Sequence, residues 1–140
     1  MLSLLLSGLA YLTRPRRPSE GRYDWDIAGD AVTWDRAYGE LLGGRPASTG
    51  GSQDWWIDQI HPEDRDDTVL GLCEALDGPA TTWAATYRIR RRDGEYVRVT
   101  DRAAIVRDGQ GNAVRLTGTL TRLIRAGADT GRDAALALSS

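Results

Sequence analysis

The stretch YRIRRRDGEYVRVTDRAAIVRDGQGNAVRLTG, Tyr87 to Gly118, decides the fold. Apolar and polar residues alternate through it, and Asp93-Gly94 and Asp108-Gly109-Gln110-Gly111 interrupt the alternation. A period of two places successive side chains on opposite faces of a sheet. The first strand is predicted over Thr81 to Arg92, with Trp83, Ala85, Tyr87 and Ile89 on one face. Asp93-Gly94 is the dipeptide favoured in a type I′ turn. The second strand, Glu95 to Arg107, turns Val97, Val99, Ala103 and Ile105 inward, and the third, Asn112 to Ile124, aligns Val114, Leu116, Gly118 and Leu120. Three consecutive antiparallel strands are expected.

Upstream, Arg22 to Ile27 also alternates, with Tyr23, Trp25 and Ile27 on one side. Ala28-Gly29-Asp30 turns the chain into a short strand ending at Trp34, which makes a hairpin. Asp35 suits an N-cap for a helix over Arg36 to Leu42, and Gly43-Gly44 stops it. Arg45 to Gln53 reads as a loop, followed by a helical turn capped by Asp54 and carrying Trp55, Trp56 and Ile57 to Ile60. Pro62 opens the longest helix, with Glu63, Asp64, Asp66 and Asp67 at the positive end of its dipole. Val69, Leu72, Cys73 and Leu76 make its apolar stripe, and Gly78-Pro79 ends it. The sum is an α+β domain with a five-stranded antiparallel sheet covered on one face by helices.

Bulk properties narrow the function. The chain has 140 residues, room for one domain. Its net charge of -2 gives no global electrostatic case for nucleic-acid binding. All 18 basic residues are arginine, which we attribute to coding bias. One cysteine, Cys73, cannot form an internal disulfide, and one histidine without a partner at ligand spacing argues against a metal site. No catalytic triad, paired-carboxylate motif or phosphate-binding loop is present, so the chain is not expected to be an enzyme.

Met1 to Leu12 is apolar but too short to span a bilayer, which takes about 20 residues. As a helix it aligns Leu2, Leu5, Leu6, Leu9 and Leu12 on one face, an expected interface. Its partner is ranked first as the domain's own sheet, then a second copy, then a membrane surface approached with Arg14, Arg16 and Arg17. Residues 1–21 are read as this helix and a linker, 22–124 as the domain, and 125–140 as a tail with a short helix at Asp133 to Leu138.

In order and spacing, Trp25, Trp34, Leu42-Gly43, His61-Pro62-Glu63-Asp64-Arg65, Tyr87-Arg88, Asp93-Gly94, Asp108 with Gly111, and Gly118-Thr119 resemble the PAS family with its C-terminal PAC segment. The resemblance covers residues 22 to 124 and implies a PAS fold in a sensory module. It implies that His61 closes the helix start and is not a haem or metal ligand. Cys73 lacks the Asn-Cys-Arg-Phe context of flavin-adduct domains and reads as a small core residue, so neither haem nor flavin is supported. A small-molecule pocket in this family lies between sheet and short helices, where Trp34, Tyr38, Trp56 and Tyr87 are the candidate lining, with Trp55 and Trp83 nearby. Arg88, Arg90, Arg91 and Arg92 read as a solvated outer face that guards against edge pairing.

The chain departs from the family at Arg122-Leu123-Ile124, where Asp-Ile-Thr usually couples the sheet to an output helix. We therefore expect a cytoplasmic bacterial signalling module in a two-component type of system, stand-alone if the chain is complete and the sensor part of a larger protein if it is a fragment. It would act as a homodimer or bound to a sensor histidine kinase or other regulator. The alternatives are a small-molecule sensor read by an effector and an adaptor with peripheral membrane contact.

Overall fold

A computed structural model describes residues 20–44 and 48–123. The elements run β1 (Glu20–Asp26), β2 (Ala31–Trp34), α1 (Arg36–Leu41), β3 (Ser48–Gly51), α2 (Gln53–Gln59), α3 (Pro62–Asp77), β4 (Thr82–Arg90), β5 (Tyr96–Arg107) and β6 (Ala113–Arg122). The expected hairpin and meander form and join into one sheet, because β1 pairs antiparallel with β6. A short sixth strand, β3, extends the edge beyond β2, giving the order β3-β2-β1-β6-β5-β4. The first and last strands thus lie at the centre, and the chain between them closes as a unit. The leucine face at Leu2, Leu5, Leu6, Leu9 and Leu12, and the tail from residue 125, lie outside the described residues.

Three local readings are corrected. The linker expected to reach Gly21 ends earlier: Glu20 and Gly21 pair with Thr121 and Leu120 in the sheet. Ser52, not Asp54, caps α2, its hydroxyl accepting from the Trp55 N–H at 3.2 Å. Asp54 falls in the first turn, where its charge suits the dipole. The β4–β5 turn is not type I′, because Gly94 has positive φ (91°) and Asp93 does not. The Gly94 N–H donates to Arg91 O and the Arg91 N–H to Glu95 O, giving a three-residue loop closed by a left-handed glycine. Asp108 to Asn112 repeats this geometry, with Gly111 at φ 87°.

The inner sheet face supplies Tyr23, Trp25, Val32, Tyr87, Ile89, Val99, Ile105, Leu116 and Leu120 to the core. Tyr38, Leu41, Leu42, Trp56, Ile60 and Leu72 close over it from the helical side. On α3 only Leu72 of the expected stripe is fully buried; Val69 and Leu76 pack against the core at half-burial, and Cys73 is half-buried outside it. Gly21 permits the closest helix–sheet approach, since a Cβ there would lie 2.3 Å from the Tyr38 Cα.

His61 to Arg65 latch α3 to the edge strand β4. The His61 Nδ1 accepts from the Glu63 N–H at 3.0 Å, so the ring is the helix cap, and Pro62 needs no acceptor at the first position. Asp64 accepts from the Arg88 side chain at 2.8 and 2.9 Å and from the Arg88 N–H at 2.9 Å. The His61 N–H in turn donates to Arg88 O at 2.9 Å, and Ile60 bridges Ile89. The free edge of β4 is therefore occupied by the α2–α3 junction. Arg88 is a clamp and not a solvated charge. At the far end, Arg107 donates to the Ala75 and Leu76 carbonyls at 2.9 and 3.0 Å, a cation at the negative end of the α3 dipole.

The Arg88 hydrogen bonds hold the Asp64 carboxyl down at about 2, against an ordinary 3.8. Its contribution to stability is therefore present above 3.8 and lost as pH falls toward 2. Asp64→Ala leaves the Arg88 N–H and guanidinium without acceptors and is expected to cost about 1–3 kcal/mol at neutral pH in urea unfolding. The difference from wild type should shrink as acid protonates Asp64; a constant difference would contradict the ion-pair account.

Candidate functional site

The inward alternation of β5 carries one residue that the hydrophobic pattern does not advertise. Asp101 lies between Val99 and Ala103 on the inner face and is only 2% exposed. Tyr23, from β1, donates its hydroxyl to one Asp101 oxygen at 2.6 Å. Tyr87, from β4, donates to the other at 2.7 Å. The Trp56 indole N–H, from α2, donates to the Tyr87 hydroxyl at 2.9 Å. Three strands and one helix thus meet at one carboxyl group.

Tyr23 reaches Asp101 because β6 has no side chain at Gly118: a Cβ there would lie 2.6 Å from the Tyr23 hydroxyl and 2.7 Å from the Arg102 carbonyl. Tyr87 is fixed by packing, its ring perpendicular to Trp56 at 5.9 Å, and Trp56 meets Trp83 edge-on at 6.1 Å.

A cavity of about 30 Å³ opens beside this cluster. Asp101, Tyr23, Trp25, Tyr38, Trp56 and Trp83 line it, with Val32, Leu72, Leu116 and Gln53 completing the wall. At roughly 10–15 Å³ per water position, this is room for about two waters or a ligand of few heavy atoms. Of the four residues expected to form a pocket, Tyr38 and Trp56 line the cavity, and Tyr87 stands behind the wall with its hydroxyl in the polar cluster. Trp34 is elsewhere: it stacks on Tyr38 at 5.3 Å and on Trp55 at 4.8 Å, outside the lining. Trp83 belongs to the wall and Trp55 does not. Trp25 and Asp101 complete the site; the signal for Asp101 was its even spacing with Val97, Val99, Ala103 and Ile105.

Among the described residues no ion pair reaches Asp101. Burial pushes its carboxyl up to about 7, and the Tyr23 and Tyr87 hydrogen bonds only partly oppose this. Burial first, and then the Asp101 charge, raise both tyrosine hydroxyls well above their ordinary value of 10.0, so they remain donors. Among the described residues no group of three or more His, Cys, Asp or Glu could hold a metal ion.

Unfolded, Asp101 ionises near 3.8, whereas folded it keeps its proton to about 7. Its contribution to stability is greatest below 3.8, falls as pH rises to 7, and is constant above. The slope in that window is at most about 1.4 kcal/mol per pH unit. Asp101→Asn should flatten this decline in urea midpoints measured between pH 5 and 8. A variant that keeps the wild-type slope would assign the decline to another group.

The family described as the PAS fold matches residues 31–120. Among solved structures, the chain is similar to a sensory box histidine kinase/response regulator from Burkholderia thailandensis E264, with 21% identity and a TM-score of 0.69 over 94% of this chain and 92% of that one. The N-terminal domain of a diguanylate cyclase with PAS/PAC sensor from Marinobacter aquaeolei matches at 26% identity and TM-score 0.67, over 74% of this chain and 94% of that one. A light-oxygen-voltage domain described with a flavin analogue matches at 17% identity and TM-score 0.62, over 91% and 90% of the two chains. No curated protein matches significantly by sequence. The residues here do not fit a flavin: about 30 Å³ is far too small for its ring system, and Cys73 is not in the cavity wall. Sheet order, helical cover and family match agree, and the chain belongs to the PAS fold family, the sensory domains of signalling proteins.

Proposed function

We propose that the chain is a binding module of bacterial signal transduction, not a catalyst. The state of the cavity beside Asp101 is its input, and contact with another protein is its output. The observation that carries this reading is the Asp101–Tyr23–Tyr87–Trp56 cluster, which joins α2, β1, β4 and β5 around one small space. Filling or emptying that space changes which hydrogen bonds Asp101 can make. Any ligand with different affinities for two arrangements of the sheet shifts their populations.

The route outward is short. Tyr23 alternates on β1 with Arg22 and Asp24, whose side chains face the opposite side of the sheet, and β1 pairs with β6 along its whole length. Asp24 is ion-paired there with Arg115 of β6. The exposed part of that outer face, around Asp24 and Arg115, is the proposed contact surface for a second copy, a sensor histidine kinase or another regulator. The similarity to sensor modules of a histidine kinase and a diguanylate cyclase supports the partner class. We place the module in the cytoplasm; no described helix is long and apolar enough to cross a membrane.

Ligand-observed NMR with a panel of water-soluble compounds of few heavy atoms tests the sensing half. A saturable binder should move the indole resonances of Trp56 and Trp83 and also the amides of Arg22, Asp24 and Thr119. Shifts confined to the cavity wall, with the outer face unmoved, would remove the signalling role.

A further inference from the structure

The cavity combines three features. Its one carboxylate is buried, each oxygen already accepts one tyrosine hydroxyl, and each oxygen keeps a further lone pair. Much of the wall is aromatic, from Tyr23, Trp25, Tyr38, Trp56 and Trp83. Among the described residues, neither an Arg side chain nor the His61 ring lines it. A buried carboxylate without a cation is neutralised either by a proton or by a positive ligand. Aromatic rings attract cations through their quadrupole, most strongly where water is excluded. An anionic ligand would face the carboxylate and five aromatic residues, with no positive group among the described lining residues to receive it.

The geometry points to a small organic cation, of the size of methylammonium, as the ligand of this cavity, with Asp101 as its counter-ion and Tyr38, Trp56 and Trp83 among its aromatic walls. This rests on the sensing role proposed above and narrows it to a ligand class. The volume of about 30 Å³ sets the size: a single ammonium head with one carbon fits, and a long-chain amine does not. The ammonium donates to the free lone pairs of Asp101 while its methyl group meets the indoles. Proton and cation compete for the same carboxylate, so binding strengthens as Asp101 ionises.

Titration with methylammonium chloride, followed by tryptophan fluorescence and by thermal shift, tests this. Methanol serves as the neutral isostere and sodium chloride as the control for ionic strength. The wild-type protein should respond saturably to methylammonium and not to the two controls. Its affinity should rise about tenfold from pH 6 to pH 8, the change in ionised fraction of an acid titrating near 7. Asp101→Asn should weaken binding at least tenfold, while Tyr87→Phe, which keeps the carboxylate, should retain the preference for the cation. Should Asp101→Asn fail to fold by near-ultraviolet circular dichroism, the wild-type pH series decides. Equal responses to methylammonium and methanol, a response reproduced by sodium chloride, or pH-independent binding would overturn the assignment. Saturable methanol binding without methylammonium binding would refute the cation while leaving the sensing role intact. A cavity that responds to neither these probes nor the wider panel would refute both.

Discussion

The burial of Asp101 between Tyr23 and Tyr87 is the constraint on which the rest of the site depends. Placing a carboxylate in an apolar interior costs several kcal/mol when no cation accompanies it. Two tyrosine hydroxyls at 2.6 and 2.7 Å offset part of that cost, at roughly 1.5–3 kcal/mol each while the group is charged. The remainder appears as a carboxyl that prefers its proton. The arrangement also demands much of the surrounding chain. β1 must lie beside β6 for Tyr23 to arrive, Gly118 must lack a side chain, and Trp56 must orient the Tyr87 hydroxyl. A group that is costly to bury and is held by two tyrosine hydroxyls marks a candidate functional site.

Around that centre the scaffold is clamped at its ends. His61, Pro62 and Asp64 set the start of α3 and fasten it to Arg88, while Arg107 holds its finish. Both clamps tie the helix to the β4–β5 hairpin that carries Tyr87 and Asp101. The His-Pro-Glu-Asp-Arg motif is therefore structural chemistry: it fixes the helical roof over the cavity and covers a strand edge, without entering the cavity itself.

Most of the architecture was legible in the residues, for identifiable reasons. Alternation exposed β1, β4, β5 and β6, since each has one buried face, and the turn at Ala28-Gly29-Asp30 exposed β2. Pro62 with its acidic neighbours marked the start of α3. β3 escaped notice because Ser48 to Gly51 is four small residues with no apolar period, and it forms only because β2 offers a free edge. The Asp93-Gly94 turn was misread because the same dipeptide serves two loop geometries, and only the φ of Asp93 separates them. Of the residues that the resemblance suggested for a pocket, Tyr38 and Trp56 line the cavity, whereas Trp34 stacks with Trp55 outside it. Asp101 is a charged residue in the apolar row Val97, Val99, Ala103 and Ile105, so apolar alternation alone does not mark it. That interruption is itself the informative signal, since a carboxylate at an inward position must be neutralised by something.

The most direct measurement is the titration of the Asp101 carboxyl carbon by NMR in protein labelled at aspartate side chains. The account predicts a midpoint near 7, well apart from the surface aspartates. A midpoint near the ordinary 3.8 would contradict it, because Asp101 would then be as well solvated as a surface carboxylate and its burial would not control its charge.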